Sequence, residues 1–260
     1  MDAEARTAAA SALATAEREI QPIEPLTGVY PDMDVVDAYE IQLANIRRRV
    51  ANGALVKGHK VGLSSRAMQR MMGVHEPDYG HLLDDMFAFE STPIDASKLL
   101  YPRVEVEVAF VLGATLPSQG CTVADVLRCT AFVCPALEII DSRIRDWKIG
   151  LIDTIADNAS SGMVVLGGRP TPVHKVDVRN LGAVLRRDGA VIATGSSGAV
   201  LGNPATAVAW LANKVAAFGV TLDAGHVILP GSCTRAYDIK PGQTFRADFD
   251  ELGHVSAHFE

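Results

Sequence analysis

Two glutamates spaced two apart, a third among apolar residues, and a lysine between glycines are the side chains in this sequence best suited to act together. In residues 101–113, YPRVEVEVAFVLG, Glu105 and Glu107 alternate with valines. Such alternation marks a β-strand, with Val104, Val106, Val108 and Phe110 on one face and Arg103, Glu105, Glu107 and Ala109 on the other. The two carboxylates then share a face, roughly 6–7 Å apart along the strand. That spacing fits the solvent face of a half-exposed antiparallel strand equally well. Glu138 shifts the balance. In CPALEIIDSRI it is surrounded by Pro135, Ala136, Leu137, Ile139 and Ile140, where a buried glutamate is costly unless it is paired or binds a cation. Three carboxylates and waters suit Mg²⁺ or Mn²⁺, which favour octahedral oxygen sites. Zinc is disfavoured because no His/Cys constellation accompanies them.

Other polar groups have chemistry to offer. VKGHKVGLSS carries His59 and Lys60 between two glycines. A lysine there can hold a substrate carboxylate or shuttle a proton; it also fits a surface residue whose ammonium stays in water. GVHEPDYGHLLDDM places Asp78 in a loop bracketed by proline and glycine, with Asp84 and Asp85 beyond it. Loop carboxylates ordinarily form turns, and only position makes one catalytic. DTIADNASSG is a polar run of small residues that either cradles a carboxylate or closes Asx- and Ser-type turns. The seven histidines are dispersed, with no HExxH pair, and His226, His254 and His258 read as strand-end or surface residues.

The elements that must position these groups belong to an α+β chain. The first third is mostly helical: in residues 34–53, Asp34 is a candidate N-cap, Val36, Tyr39, Leu43, Ile46 and Val50 form a stripe, and Gly53 is a stop. ALVKGHKVGL follows as a short strand, and SSRAMQRMMG as a small helix ending at Gly73. TVADVLRCTAF reads as a helix with Thr122 and Asp125 spaced as a capping box. From about residue 132 strands dominate, including a hairpin turning at Asp188–Gly189 and the closing strands HVILPG, TFRADFD and HVSAHFE. GNPATAVAWLANKVAAFG is the clearest helix, with Asn203 as cap, Pro204 at the first helical position and Gly219 after the end. Helices and strands are largely segregated, hence α+β. A weak boundary near residue 70 separates a mainly helical part, residues 1–70, from a β-rich catalytic part, residues 71–260, within one structural unit.

At 260 residues and 48% hydrophobic, the chain can bury about three-quarters of its unfolded surface in a single core. Its net charge is −7 with scattered basic residues, which disfavours a nucleic-acid partner. No segment reads as a signal peptide or a bilayer span. The four cysteines lack CxxC spacing and read as small apolar residues in a reducing cytoplasm. Neither GxGxxG nor GxxxxGK[ST] occurs, against a Rossmann or P-loop protein.

The segments GHKVGL, VHEPDYGHLLDDM, PRVEVEVAFVLG, CPALEIIDSRIRDWKI, DTIADNASSG, GNPATAVAWLANK and AGHVILPGS, in this order, resemble the 2-keto-4-pentenoate hydratases of bacterial meta-cleavage pathways, in the wider fumarylacetoacetase-like superfamily. The likeness runs from about residue 20 to the C-terminus. LPGSCTRAYD resembles hydratases that act after cleavage of aromatic or steroid rings. The resemblance implies a fumarylacetoacetase C-terminal-domain-like mixed β-roll with an N-terminal helical part. It implies Mg²⁺ or Mn²⁺ held by Glu105, Glu107 and Glu138, proton-transfer or water-orienting roles for Lys60 and Asp78, and a substrate-carboxylate contact for Ser160. The implied reaction adds water to a 2-hydroxyalka-2,4-dienoate, giving a 4-hydroxy-2-oxoalkanoate. A cytoplasmic homo-pentamer or decamer is also implied, associating with the downstream aldolase or a related decarboxylase, without nucleic-acid or membrane partners. The nearest rival is 4-oxalocrotonate decarboxylase, in which carbon dioxide leaves instead of water adding; a non-catalytic partner subunit is the other.

Overall fold

The computed structural model describes residues 1–71 and 73–260, without the side chains of residues 67, 68 and 71. Helices α1 (Ala3–Glu19), α2 (Leu26–Val29) and α3 (Val35–Ala51) come first. They are followed by β1 (Val56–Gly62), α4 (Arg66–Met71), β2 (Asp78–Leu83), β3 (Phe87–Ala88), β4 (Arg103–Leu112), α5 (Val123–Cys129) and β5 (Thr130–Ile140). The chain continues with α6 (Leu151–Ala156), β6 (Ser161–Leu166), β7 (Gly182–Arg187), β8 (Ala190–Ser196), α7 (Pro204–Val215), β9 (Val227–Leu229), β10 (Tyr237–Asp238), β11 (Thr244–Phe249) and β12 (Gly253–His258). Among the described residues the strands form two sheets. An eight-stranded mixed sheet runs β2-β1-β9-β4-β5-β6-β3 with β10 against β4, and a four-stranded sheet runs β12-β11-β7-β8.

Local signals act where expected. Asp34 and Asp37 exchange side-chain-to-backbone hydrogen bonds of 2.8 and 3.2 Å at the start of α3, closing a capping box. Thr122 and Asp125 do the same before α5. Asp188 and Gly189 both take positive φ, 51° and 84°, the type I′ geometry that matches strand twist. Gly219, at φ 69°, closes the 3₁₀ turn Ala216–Phe218 that continues α7.

Three expectations need correction. Val36 and Val50 are exposed; the buried face of α3 carries Asp37, Ala38, Tyr39, Ile41, Gln42, Leu43 and Ile46 instead, because polar groups there have partners across the fold. Helix α5 ends at Cys129, and Thr130–Phe132 opens β5. The PDYG segment is strand rather than loop: β2 begins at Asp78 and all six residues are buried, paired along β1. His226 stands at a strand end as expected, just before β9, and is half-buried with its ring 5.7 Å from that of His59. In the small helix after β1, Met72 lies outside the described residues.

The large sheet has two unlike faces. One, with Val61, Tyr79, Val104, Val106, Val108, Phe110, Leu137 and Ile139, joins the main core; β11 and β12 of the smaller sheet pack against β5. The other carries a small apolar cluster of Leu82, Ala109, Cys134, Ala136, Val164, Val227 and Leu229, and above that cluster lie the carboxylates. β1, from within the first 70 residues, is an inner strand of this sheet.

Candidate active site

The antiparallel register of β4 and β5 sets Glu105 directly opposite Glu138 and Glu107 opposite Ala136. With a side-chain period of two, all three carboxylates therefore rise from the same face. Ligand oxygens of Glu105, Glu107 and Glu138 lie within 4.8 Å of one another. Among the described residues no other set of three His, Cys, Asp or Glu ligand atoms is so close. Glu107 and Glu138 are fully buried and Glu105 is partly exposed, so the solvent-face reading of this strand fails for Glu107. Glu107 Oε2 accepts the Gly231 N–H at 2.7 Å, while Glu107 Oε1 and both oxygens of Glu138 have no hydrogen-bond partner. Burial pushes Glu105 up to about 7, opposed by Lys60 and reinforced by Glu138 and Asp78. Glu107 is raised well above the usual range by burial, then by Glu138 and Glu105. Glu138 is raised by burial against the pull of Lys60. Buried carboxylates with orphaned oxygens and mutual repulsion are an arrangement that a hard divalent cation relieves, and its oxygen-only donor set suits Mg²⁺ or Mn²⁺.

β9 leads to the other half of the site. It pairs with β1 up to Leu229, opposite Lys60. Beyond Leu229 the chain turns through Pro230 and Gly231, and Cys233 N–H bonds back to the Val106 carbonyl at 2.8 Å. Lys60 and Asp78 share one face of the β1–β2 ladder through the pairs Lys60↔Gly80 and Gly62↔Asp78. Lys60 is buried, not solvated. Its Nζ donates to the Ala159 carbonyl at 3.0 Å and forms an ion pair with Glu138 Oε1 at 3.2 Å. Those two contacts differ: the Glu138 oxygen is near enough for attraction but lies off the hydrogen-bonding direction, as its orphaned state shows. Burial alone would lower the Lys60 ammonium; Glu138 first, then Glu105, Asp78 and Glu107, outweigh it and raise it. Asp78 is raised by burial, opposed by Lys60, and its Oδ1 has no partner. Four carboxyl groups thus face one ammonium.

Ser160 arrives on a strained turn. Asn158, Ala159 and Ser160 take φ of 53°, 50° and 53° in succession, a left-handed turn with no glycine, which costs about 1–3 kcal/mol per residue unless its surroundings enforce it. Asn158 is clamped to β2, its Oδ1 accepting His81 N–H at 2.8 Å and its Nδ2 donating to His81 O at 2.9 Å. The turn aims the Ala159 carbonyl at Lys60, and Ser160 Oγ is buried without a partner. Gly80 is required here, since a side chain would strike the Asn158 carbonyl. Helix α6, just upstream, is tied to the N-terminal helices by Thr27, whose N–H and Oγ1 donate to Asp153 at 3.0 and 2.9 Å.

The structure thus brings Lys60, Asp78, Glu105, Glu107, Glu138 and Ser160 into one region. It sends His59 elsewhere, to the opposite face of β1, beside His81 and His226. His59 is fully buried with neither ring nitrogen partnered, and burial holds it well below its ordinary value. His81 is pushed down to about 4 by burial and by His226. Gln42 Nε2 donates to the Tyr79 and Ile155 carbonyls, leaving Oε1 to accept from His81 Nδ1 at 3.0 Å. Gly231, Asn158, Arg143 and Asp157 were not singled out from the sequence; their one signal was membership of segments that carry the family likeness.

The family model for the fumarylacetoacetate (FAA) hydrolase C-terminal domain matches residues 61–260. The chain is 42% identical over 266 residues to a 2-oxo-hept-4-ene-1,7-dioate hydratase of Escherichia coli, covering 99% of each protein. It is 43% identical over 260 residues to a 2-keto-4-pentenoate hydratase of Paraburkholderia xenovorans (strain LB400), covering 100% of this chain and 97% of the relative. Among solved structures, the 4-oxalocrotonate decarboxylase of Pseudomonas putida G7 complexed with magnesium and adipate superposes with a TM-score of 0.96 at 38% identity. That match covers 100% of this chain and 99% of the other.

Proposed function

The chain belongs to the fumarylacetoacetate hydrolase family, and from that premise we propose that it is a metal-dependent hydro-lyase of aromatic meta-cleavage catabolism. It adds water to a 2-hydroxyalka-2,4-dienoate to give a 4-hydroxy-2-oxoalkanoate. The observation that carries this reading is the cluster of three buried glutamates facing Lys60 and Asp78, in a chain so similar to hydratases along its whole length.

Glu105, Glu107 and Glu138 would hold the Mg²⁺ or Mn²⁺. When bound, the cation supplies Lewis-acid stabilisation of negative charge developing at the substrate's C2 oxygen. Lys60, charged and anchored by the Ala159 carbonyl, and Asp78, with its free Oδ1, are the proton-carrying groups on the same face. Between them they take the proton of the C2 hydroxyl, deliver the protons gained at C5 and C3, orient the water whose oxygen joins C4, and accept the proton that this water loses. Ser160 Oγ donates to the substrate carboxylate. The main core covers the far face of the sheet.

A second reading is 4-oxalocrotonate decarboxylase, favoured by the superposition on that enzyme. Incubation with Mg²⁺ and each substrate separates them. Loss of 2-hydroxypenta-2,4-dienoate without carbon dioxide release supports hydration; rapid carbon dioxide evolution from 2-oxo-3-hexenedioate would assign the decarboxylase instead. Among the described residues no helix is long and apolar enough to cross a membrane. We place the enzyme in the cytoplasm as a homo-pentamer or decamer able to associate with the downstream aldolase or a related decarboxylase, which light scattering of the pure protein and co-purification with those enzymes would test.

A further inference from the structure

We propose that Arg143 and Asp157 are positioning residues for this reaction: their buried ion pair holds the left-handed turn at residues 158–160, and so sets Ser160 and the carbonyl that anchors Lys60. The proposal rests on the hydratase reading of the site. Arg143 and Asp157 are nearly fully buried, 6% and 2% exposed, and neither belongs to the carboxylate cluster. Arg143 uses its fork on the backbone around the turn. Nε pairs with Asp157 Oδ1, Nη2 donates to the Asp157 carbonyl, and Nη1 donates to the carbonyls of Asp141 at 2.6 Å and Ser161 at 2.8 Å. The other carboxylate oxygen of Asp157 accepts from Ser142 Oγ and Arg143 N–H, both at 3.1 Å. One guanidinium therefore binds the residue before the turn, the residue after it, and the residue just past β5, the strand that carries Glu138. Asp141 N–H closes the frame by donating to the Ser160 carbonyl at 2.8 Å.

A buried ion pair is a poor way to gain stability, since apolar residues of similar volume often do as well. Its use here is geometric. Asn158 clamps one side of the turn to β2; without Arg143 the carbonyls on the other side lose their guanidinium donors, and three left-handed residues would relax toward ordinary backbone. A lysine at position 143 keeps the charge but cannot span four acceptors with a planar fork.

The test uses the full chain loaded with Mn²⁺ and compares wild type with Arg143→Lys, Arg143→Ala and Asp157→Asn. We expect kcat for dienoate hydration to fall at least about tenfold and KM to rise, with Mn²⁺ affinity within about twofold of wild type, because the cation's ligands sit on β4 and β5. Guanidinium in solution should partly restore Arg143→Ala. Amide exchange in a peptide covering residues 157–161 should quicken about tenfold or more while β4 and β5 stay protected. Arg143→Lys with wild-type kcat and KM would overturn the proposal, as would unchanged exchange in residues 157–161. Were Arg143→Ala unable to fold, Arg143→Lys carries the same two readouts. An inactive wild type would instead refute the hydratase reading, and the exchange data would still judge the positioning role.

Discussion

A methyl group at position 62 would displace Asp78 while leaving the glutamates alone. Gly62 faces Asp78 across the β1–β2 ladder, and a Cβ there would stand 2.1 Å from Asp78 Oδ1. Carbon–oxygen contacts ordinarily close to roughly 3.3 Å, so the carboxyl must retreat by about 1 Å. Asp78 is 1% exposed and has no solvent to swing into; it must tilt within a packed interior, at an overpacking cost of about 1–3 kcal/mol. Misplacing a reacting group by about 1 Å can reduce turnover on the order of 100-fold. Gly62→Ala is therefore expected to fold, to melt about 2–4 °C lower per kcal/mol lost, and to lose about 100-fold in kcat/KM. Its Mn²⁺ affinity should match wild type, since Glu105, Glu107 and Glu138 lie on other strands. Gly168→Ala, which meets open space, is the control. The measurements are steady-state loss of the dienoate chromophore and calorimetric Mn²⁺ titration. Near wild-type kcat/KM in Gly62→Ala would refute a role for Asp78 in proton transfer or water orientation; equal loss of metal binding would show that the methyl disrupted more than Asp78.

Glu107→Gln should weaken Mn²⁺ binding on the order of 100-fold while the metal-free protein folds as well or better, because a buried repulsive charge is removed. Turnover that survives either this change or full chelation with EDTA refutes the metal assignment. Ser160→Ala should raise KM for the dienoate about tenfold or more with a smaller effect on kcat, the loss of one hydrogen bond to a charged group; unchanged KM removes Ser160 from substrate binding. His59→Phe should stabilise the protein at pH 7.5 by about 1–3 kcal/mol, because two unpartnered buried nitrogens disappear. The folded value of His59 is lowered, so the unfolded chain binds more protons below about pH 6.5, and wild type loses stability as the pH falls. Phenylalanine has no such titration, so the advantage of His59→Phe should grow by about 1.4 kcal/mol per pH unit below 6.5. Urea unfolding at pH 7.5 and 5.5 reads both; a variant less stable than wild type at both would show that His59 has a partner in solution.

Much of this protein can be read from local pattern. Alternation in RVEVEV predicts a strand with both glutamates on one face, because the side-chain period of a strand is two. Asp34, Thr122, Asn203, Asp188 and Gly219 act within a few residues of themselves, and each does what its chemistry predicts. The apolar neighbours of Glu138 signal burial before any coordinates are known. Periodicity misled where burial was polar: on α3, Val36 and Val50 lie outside while Asp37 and Gln42 lie inside, since the N-terminal amine and distant carbonyls supply their partners. It misled again at Asp78, where proline and glycine suggested a loop.

Pairing register and crossing order were left to the tertiary structure. Nothing local says that Glu105 stands opposite Glu138, that Leu229 of β9 pairs opposite Lys60, or that Arg143 reaches around a turn more than a dozen residues away. His59 and Lys60, adjacent in the chain, went to opposite faces, one beside His81 and His226 and one among four carboxyl groups. Composition and period decide which groups a strand presents, because those are properties of the backbone itself. Which groups meet depends on contacts between residues far apart in sequence, and those are set only when the whole sheet closes around its core.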